Sequence, residues 1–225
     1  MLPKPYYDSD GITLYHGDCR EIVDSIECDV VVTDPPYGIS FVGYNHGTVV
    51  GDHDDKCAIF LSRLAVRWPT VSFGANHYAK HLPSVGSWSC WDKRTNKDAD
   101  KMFGSPFELL WSSGDDRPGL MYRLQHGGVV NADGVGAKRL HPTQKPTTLM
   151  LWVIADHAPS GVILDPFAGP GTTLVAAKQL GRRAIGIEIE ERYCEIAAKR
   201  LAQGVLFAPP QVEKHTQPDL IGVSP

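Results

Sequence analysis

A chain of 225 residues, 42% hydrophobic and 21% charged, has the balance of one well-buried globular domain and is short for two. No apolar run approaches the ~20 residues that span a bilayer, and Met1 to Asp10 lacks the apolar stretch of a secretory signal. Five cysteines without a C-x-x-C pair argue for reduced thiols in a cytoplasmic setting and against disulfides or zinc, while a net charge of −4 confines any nucleic-acid surface to a local patch.

In chain order, Gly11 to His16 (GITLYH) reads as a short strand that ends at Gly17-Asp18-Cys19. Cys28 to Thr33 is apolar without alternation, as a strand buried on both faces of a parallel sheet is. Asp34-Pro35-Pro36-Tyr37 stops it, because proline cannot donate to a ladder. Residues 38–55, rich in glycine, histidine and aspartate, read as a loop. Ala58 to Arg67 has helical spacing, and Thr70 to Gly74 and Ser87 to Asp92 read as two more strands. Residues 112–140 hold many glycines, charges of both signs and no sustained period, and read as an exposed insertion, not a second domain. The pattern then returns: a helix from Thr147 to His157, a strand from Val162 to Asp165, a helix from Thr172 to Leu180, a strand from Ala184 to Ile189 and a helix from Arg192 to Ala202. Residues 206–225 carry four prolines and little apolar content, so they read as a disordered tail beyond a domain spanning 1–205. Strands alternating with helices predict an α/β fold, a doubly wound, mostly parallel sheet.

Asp165-Pro166-Phe167-Ala168-Gly169-Pro170-Gly171-Thr172-Thr173 lies between a strand and a helix. Its glycines let a ligand approach the backbone, and the helix start offers free N–H groups. Glu188 ends the following strand, where a carboxylate is placed to bind two ribose hydroxyls. A nicotinamide site would want a third glycine where Leu174 stands. An ordinary Gly-rich turn would leave the downstream acid unexplained.

Thr33-Asp34-Pro35-Pro36-Tyr37-Gly38 follows its strand directly, so it can share one cleft with the glycine loop beyond the carboxyl ends of the sheet. An aromatic amine is a poor nucleophile, because its lone pair is delocalised. The Asp34 carboxylate and the Pro35 carbonyl are two acceptors that could draw such a nitrogen towards tetrahedral geometry. Pro36 stiffens the segment and Tyr37 offers a stacking face. The bland reading is a proline-stiffened turn after a buried strand.

The two motifs, in this order, resemble the DNA amino-methyltransferases of the N6-adenine and N4-cytosine type, in the circularly permuted beta arrangement. There D-P-P-Y comes first, a target-recognition segment follows, and F-x-G-x-G comes last. His141-Pro142-Thr143-Gln144-Lys145-Pro146 matches a further motif of that family. The resemblance implies S-adenosylmethionine as cofactor and double-stranded DNA as partner. It assigns catalysis to Asp34, Pro35, Pro36 and Tyr37, and target recognition to residues 112–140. Cofactor binding falls to Asp18, Cys19, Asp165, Phe167, Ala168, Gly169, Gly171, Thr172, Thr173 and Glu188. Asp18 would accept from the cofactor's adenine, besides capping the helix after it, and Lys145 would approach the methionine carboxylate or a DNA phosphate. Because the amine is buried in a duplex, the base must be flipped out. Asp34 leans towards N6 of adenine, with N4 of cytosine as the alternative and a catalytically silent binding protein as a remote one. A homodimer and a companion restriction endonuclease stay open.

Weaker signals are read conservatively. Asp52-His53-Asp54-Asp55 is taken as a solvated acidic loop, because consecutive residues rarely complete a metal ligand set. Arg117, Arg123, Lys138 and Arg139, and a second cluster of Lys93, Arg94 and Lys97, are candidates for DNA contact or plain surface charge. Trp88, Trp91 and Trp111 are taken as core.

Overall fold

In the computed structural model of the protein, the described residues are 2–40, 42–43, 47–48, 50–94, 104–114, 119–126, 144–158 and 160–203. The strands are β1 (Tyr7–Ser9), β2 (Ile12–His16), β3 (Val30–Thr33), β4 (Val42–Gly43), β5 (Gly47–Thr48), β6 (Thr70–Phe73), β7 (Ser87–Asp92), β8 (Phe107–Ser112), β9 (Met121–Arg123), β10 (Ile163–Asp165) and β11 (Ala184–Glu188). The helices are α1 (Cys19–Ile22), α2 (Lys56–Arg67), α3 (Thr147–His157), α4 (Thr172–Gln179) and α5 (Glu191–Ala202), with 3₁₀ turns at Val23–Ser25 and Ala75–His81. Strands β4 and β5 form a small ribbon, and the other nine make one sheet in the order β1-β2-β11-β10-β3-β6-β8-β7-β9. From β2 to β6 every pairing is parallel. Strands β1 and β8 join antiparallel, and β9 lies parallel to β7 at the far edge.

The continuous apolar run of β3 explains its central place. Val30 and Val32 pack into one hydrophobic cluster with α3, α4 and α5, whereas Val31 faces a second cluster with α1 and α2. Both faces are therefore covered, and burying each such side chain contributes roughly 1.5–3 kcal/mol. The result is the predicted doubly wound α/β sheet. Among the described residues no helix is long and apolar enough to cross a membrane.

One stretch departs from expectation. Residues 112–140 were expected to form an exposed insertion, yet Ser112 closes β8 and residues 121–123 form β9 in the main sheet. Tyr122 is fully buried, and its hydroxyl donates to Asp156 of α3 at 3.1 Å. A three-residue edge strand carries too little periodicity to be seen in sequence. Residues 115–118 and 127–140 of that segment, and the expected tail at 206–225, lie outside the described residues.

Candidate active site

Parallel strands deliver their carboxyl ends to one rim, and the two sequence motifs meet there. Strand β3 ends at Thr33 and its neighbour β10 at Asp165; the Thr33 hydroxyl donates to Asp165 Oδ1 at 2.7 Å. The Phe167 N–H reaches the same oxygen at 3.1 Å, so Asp165 stitches Asp34's strand to the glycine loop. Burial pushes the Asp165 carboxyl up to about 6, against the hydroxyl bonds from Thr173 and Thr33.

On one side of this stitch lies a cavity of about 220 Å³, lined by Gly17, Asp18, Cys19, Pro36, Phe60, Phe167, Glu188 and Ile189, among others. Gly171 starts α4 with φ +78°, and a Cβ there would come within 2.8 Å of the Ala197 side chain, so only glycine fits. Ala168 packs beneath the loop, and Thr172 and Thr173 form the buried first turn of α4. Glu188 is buried, which raises its carboxyl above the usual range. Its oxygens accept one N–H each, from Gly169 at 2.8 Å and Glu190 at 2.7 Å. A carboxylate has about four acceptor sites, so capacity remains for two hydroxyls. Beside it the Gly17 N–H donates to the Glu188 carbonyl at 2.9 Å, which brings the end of β2 to the same cavity. Asp18 caps α1 through the Arg20 N–H at 2.9 Å, and the bond from the Arg20 guanidinium holds its carboxyl below the usual range. Apolar walls and a buried acid fit a nucleoside-bearing cofactor, while Gly169, Gly171, Thr172 and Thr173 stand at the start of α4, outside the lining of this cavity.

On the other side stands the D-P-P-Y segment. Asp34 Oδ1 accepts from the Tyr37 hydroxyl at 2.6 Å, and Oδ2 accepts from Lys145 Nζ at 2.6 Å. Lys145 also donates to the Tyr37 oxygen at 3.2 Å and lies 3.2 Å from Glu108 Oε2. Lys93 pairs with Glu108 Oε1. The Tyr37 ring stacks on the exposed His77 at 5.2 Å between centroids and 13° between planes. Its atoms pass so close to Gly74 (φ +61°) that a Cβ there would sit 2.1 Å away. Asp52 is buried below and accepts from the Gly38 N–H at 2.8 Å, which clamps the loop leaving the motif.

Against known proteins, the N6/N4 DNA methylase family matches residues 85–199. The type II methyltransferase M2.DpnII of Streptococcus pneumoniae is 31% identical over 251 residues, covering 89% of this chain and 93% of that protein. The chain belongs to the N6/N4 DNA methylase family. Another type II methyltransferase, M2.LlaDCHI of Lactococcus lactis subsp. cremoris, is 28% identical and covers 92% of this chain and 95% of its own. Among solved structures, the PvuII DNA methyltransferase (cytosine-N4-specific) shares the fold with a TM-score of 0.61 at 17% identity, covering 91% of both chains. The M1.HpyAVI–SAM complex gives 0.56 at 24% identity, covering 85% of this chain and all of that one.

This DNA methylase places several residues elsewhere than its sequence suggested. Lys145 was expected at the cofactor or a DNA phosphate; it is instead buried against Asp34, Tyr37 and Glu108, because two carboxylates attract its ammonium there. Tyr37 was expected to offer an open face, and His77 already stacks on it. Lys93 and Arg94 are engaged internally: Lys93 with Glu108 and over the Trp91 ring, Arg94 with the Gly104 carbonyl at 2.8 Å. Arg123 is exposed on β9, while Arg117, Lys97, Lys138 and Arg139 lie outside the described residues. Residues 52–55 are not a merely solvated loop, since Asp54 caps the Lys56 N–H at 3.0 Å and Asp55 pairs with Lys80 at 2.6 Å. Trp91 and Trp111 are core, but Trp88 is 41% exposed. Glu108 went unnoticed as a site residue, and Lys93 was read only as a DNA-contact candidate; the visible signal for Glu108 was a lone acid inside the apolar run Phe107-Glu108-Leu109-Leu110-Trp111.

Proposed function

We propose that the chain transfers a methyl group from S-adenosylmethionine to the exocyclic N6 amine of an adenine flipped out of double-stranded DNA. The observation that carries this reading is Asp34, an anchored carboxylate at the head of D-P-P-Y beside the cofactor-sized cavity. S-adenosylmethionine supplies a methyl group activated by its sulfonium. Glu188 would bind its ribose hydroxyls, Phe167 and Ile189 would wall its adenine near Asp18 and Cys19, and Gly169, Gly171, Thr172 and Thr173 would meet its methionine end. The Asp34 carboxylate and the Pro35 carbonyl accept from the target amine and draw its lone pair out of ring conjugation. Pro36 holds that carbonyl in place, and Tyr37 with His77 gives the base an aromatic surface. Residues 112–140 serve as the target-recognition segment, with Arg123 at the DNA.

N4 of cytosine is the second reading, favoured by the cytosine-N4-specific PvuII neighbour, since the same acceptors suit either amine. Nucleoside mass spectrometry of duplex DNA treated with the pure protein and S-adenosylmethionine decides between them. The expected product is N6-methyladenine, formed faster on duplexes mismatched at the target adenine, where unstacking costs less. N4-methylcytosine as the main product overturns the adenine assignment.

A further inference from the structure

We propose that Glu108 is a positioning residue for methyl transfer: by sharing Lys145 with Asp34, it keeps the Asp34 carboxylate a strong acceptor for the target amine. This rests on the reading of Asp34 as the amine's acceptor. Lys145 donates to Asp34 Oδ2 at 2.6 Å and to the Tyr37 oxygen at 3.2 Å, and forms an ion pair with Glu108 Oε2 at 3.2 Å, an oxygen without a hydrogen-bond donor. Without Glu108, Lys145 keeps its 2.6 Å bond to Asp34 with no second carboxylate sharing its charge, which weakens Asp34 as an acceptor for the amine.

Sheet register, not a loop, sets where Glu108 stands. It pairs with Trp91 across β7 and β8, and Lys93, two residues on, is its diagonal neighbour on the same face. The Lys93 backbone is tied to the Pro106 carbonyl at 2.9 Å, and its ammonium sits 4.7 Å above the Trp91 ring centroid. Two lysines and two carboxylates make a chain of zero net charge, Lys93–Glu108–Lys145–Asp34. A linked set of this kind, half-buried around the buried Lys145, is perturbed by losing one member.

Several groups face Asp34. Tyr37 comes from its own segment, Asp165 from β10, Glu108 from β8, Tyr78 from the 3₁₀ turn and Lys145 from the segment before α3, with His77 behind Tyr37 and Lys93 behind Glu108. Burial raises the Asp34 carboxyl most; Lys145 opposes it, and the Glu108 charge raises it further. Burial also pushes Glu108 up, but Lys145 and Lys93 outweigh it and hold that carboxyl down at about 2. Glu108 is thus the fixed anion, and Asp34 is the carboxylate that keeps basicity. Two acids driven apart by one shared cation divide their roles in this way.

The test is the pH profile of kcat on duplex DNA, with Tm and S-adenosylmethionine affinity measured in parallel. For Glu108→Gln, kcat should fall roughly tenfold with KM for DNA held within about twofold, which marks an interaction made in the transition state. Its acidic limb should move down by about one pH unit, because a like charge near Asp34 is gone. Lys93→Met should move the limb up, because an unshared Glu108 draws Lys145 away from Asp34; it carries the test if Glu108→Gln fails to fold. Glu108→Asp should recover part of kcat. Unmoved limbs, or limbs moving the same way in both variants, overturn the proposal and leave Glu108 a structural residue. Asp34→Asn with normal kcat would overturn the Asp34 reading itself, a separate outcome from either limb shift.

Discussion

The two sides of the rim are built differently. The cofactor side is held together largely by backbone donors: the Gly17 N–H reaches the Glu188 carbonyl and the Gly169 and Glu190 N–H groups its carboxylate, around a cavity that Asp18, Phe60 and Phe167 also line. The target-base side is made from side chains gathered from distant segments, with Asp34 and Lys145 111 residues apart in sequence. Backbone donors are fixed by the fold and tolerate a change in one neighbour. A linked set of four charges, with Lys145 buried at its centre and the other three half-buried, depends on each of its members. Binding the donor and activating the amine should therefore fail separately.

Asp34→Ala puts that separation under the greatest strain. Losing an acceptor aimed at the reacting nitrogen should cost roughly 10²-fold or more in turnover, while S-adenosylmethionine affinity by titration calorimetry stays as it was. Near-normal turnover would mean that the charged side is scaffolding.

Glu188→Ala is the mirror experiment. The cofactor should bind more weakly by about 1.5–3 kcal/mol, the range for a hydrogen bond to a charged group, with kcat at saturating cofactor little changed. Equal losses in affinity and saturated turnover would show the two sides to be one unit.

Asp165→Asn tests the stitch between them, with the smallest effect. Asp165 is an acid whose folded-state value, about 6, lies above its ordinary 3.8. Between those values the folded protein binds more proton than the unfolded chain, so this group's contribution to stability falls as pH rises through the window and levels off above it. Asparagine keeps an acceptor for Thr33 and carries no charge. The variant should match the wild type near pH 4 and exceed it by about 1–2 kcal/mol at pH 8 in thermal or urea unfolding without ligand. Parallel stability curves would show that Asp165 carries its charge at no cost.

How much of this was legible follows the same division. The strand before Asp34, the loop at 165–173 and Glu188 could be read because each signal is local: an unalternated apolar run, prolines that end it, glycines between strand and helix. Helix α3 was read to the residue for the same reason. Lys145 was seen but misplaced, because nothing near it in sequence announces Glu108 and Asp34 as neighbours; only the pairing of β6 with β8 brings them together. Strand β9 was hidden for a related reason: edge position depends on which strand is not made next, and three residues cannot show it.

Gly74 shows what this geometry means for mutational tolerance. It has no functional group and touches no reacting atom, yet every other amino acid would push a carbon into the Tyr37 ring and hold a strained backbone at φ +61°. In a library selected for activity, position 74 would be depleted of substitutions as strictly as position 34. A scan of fitness alone would score both as equally essential, one for its chemistry and the other for the space it leaves empty.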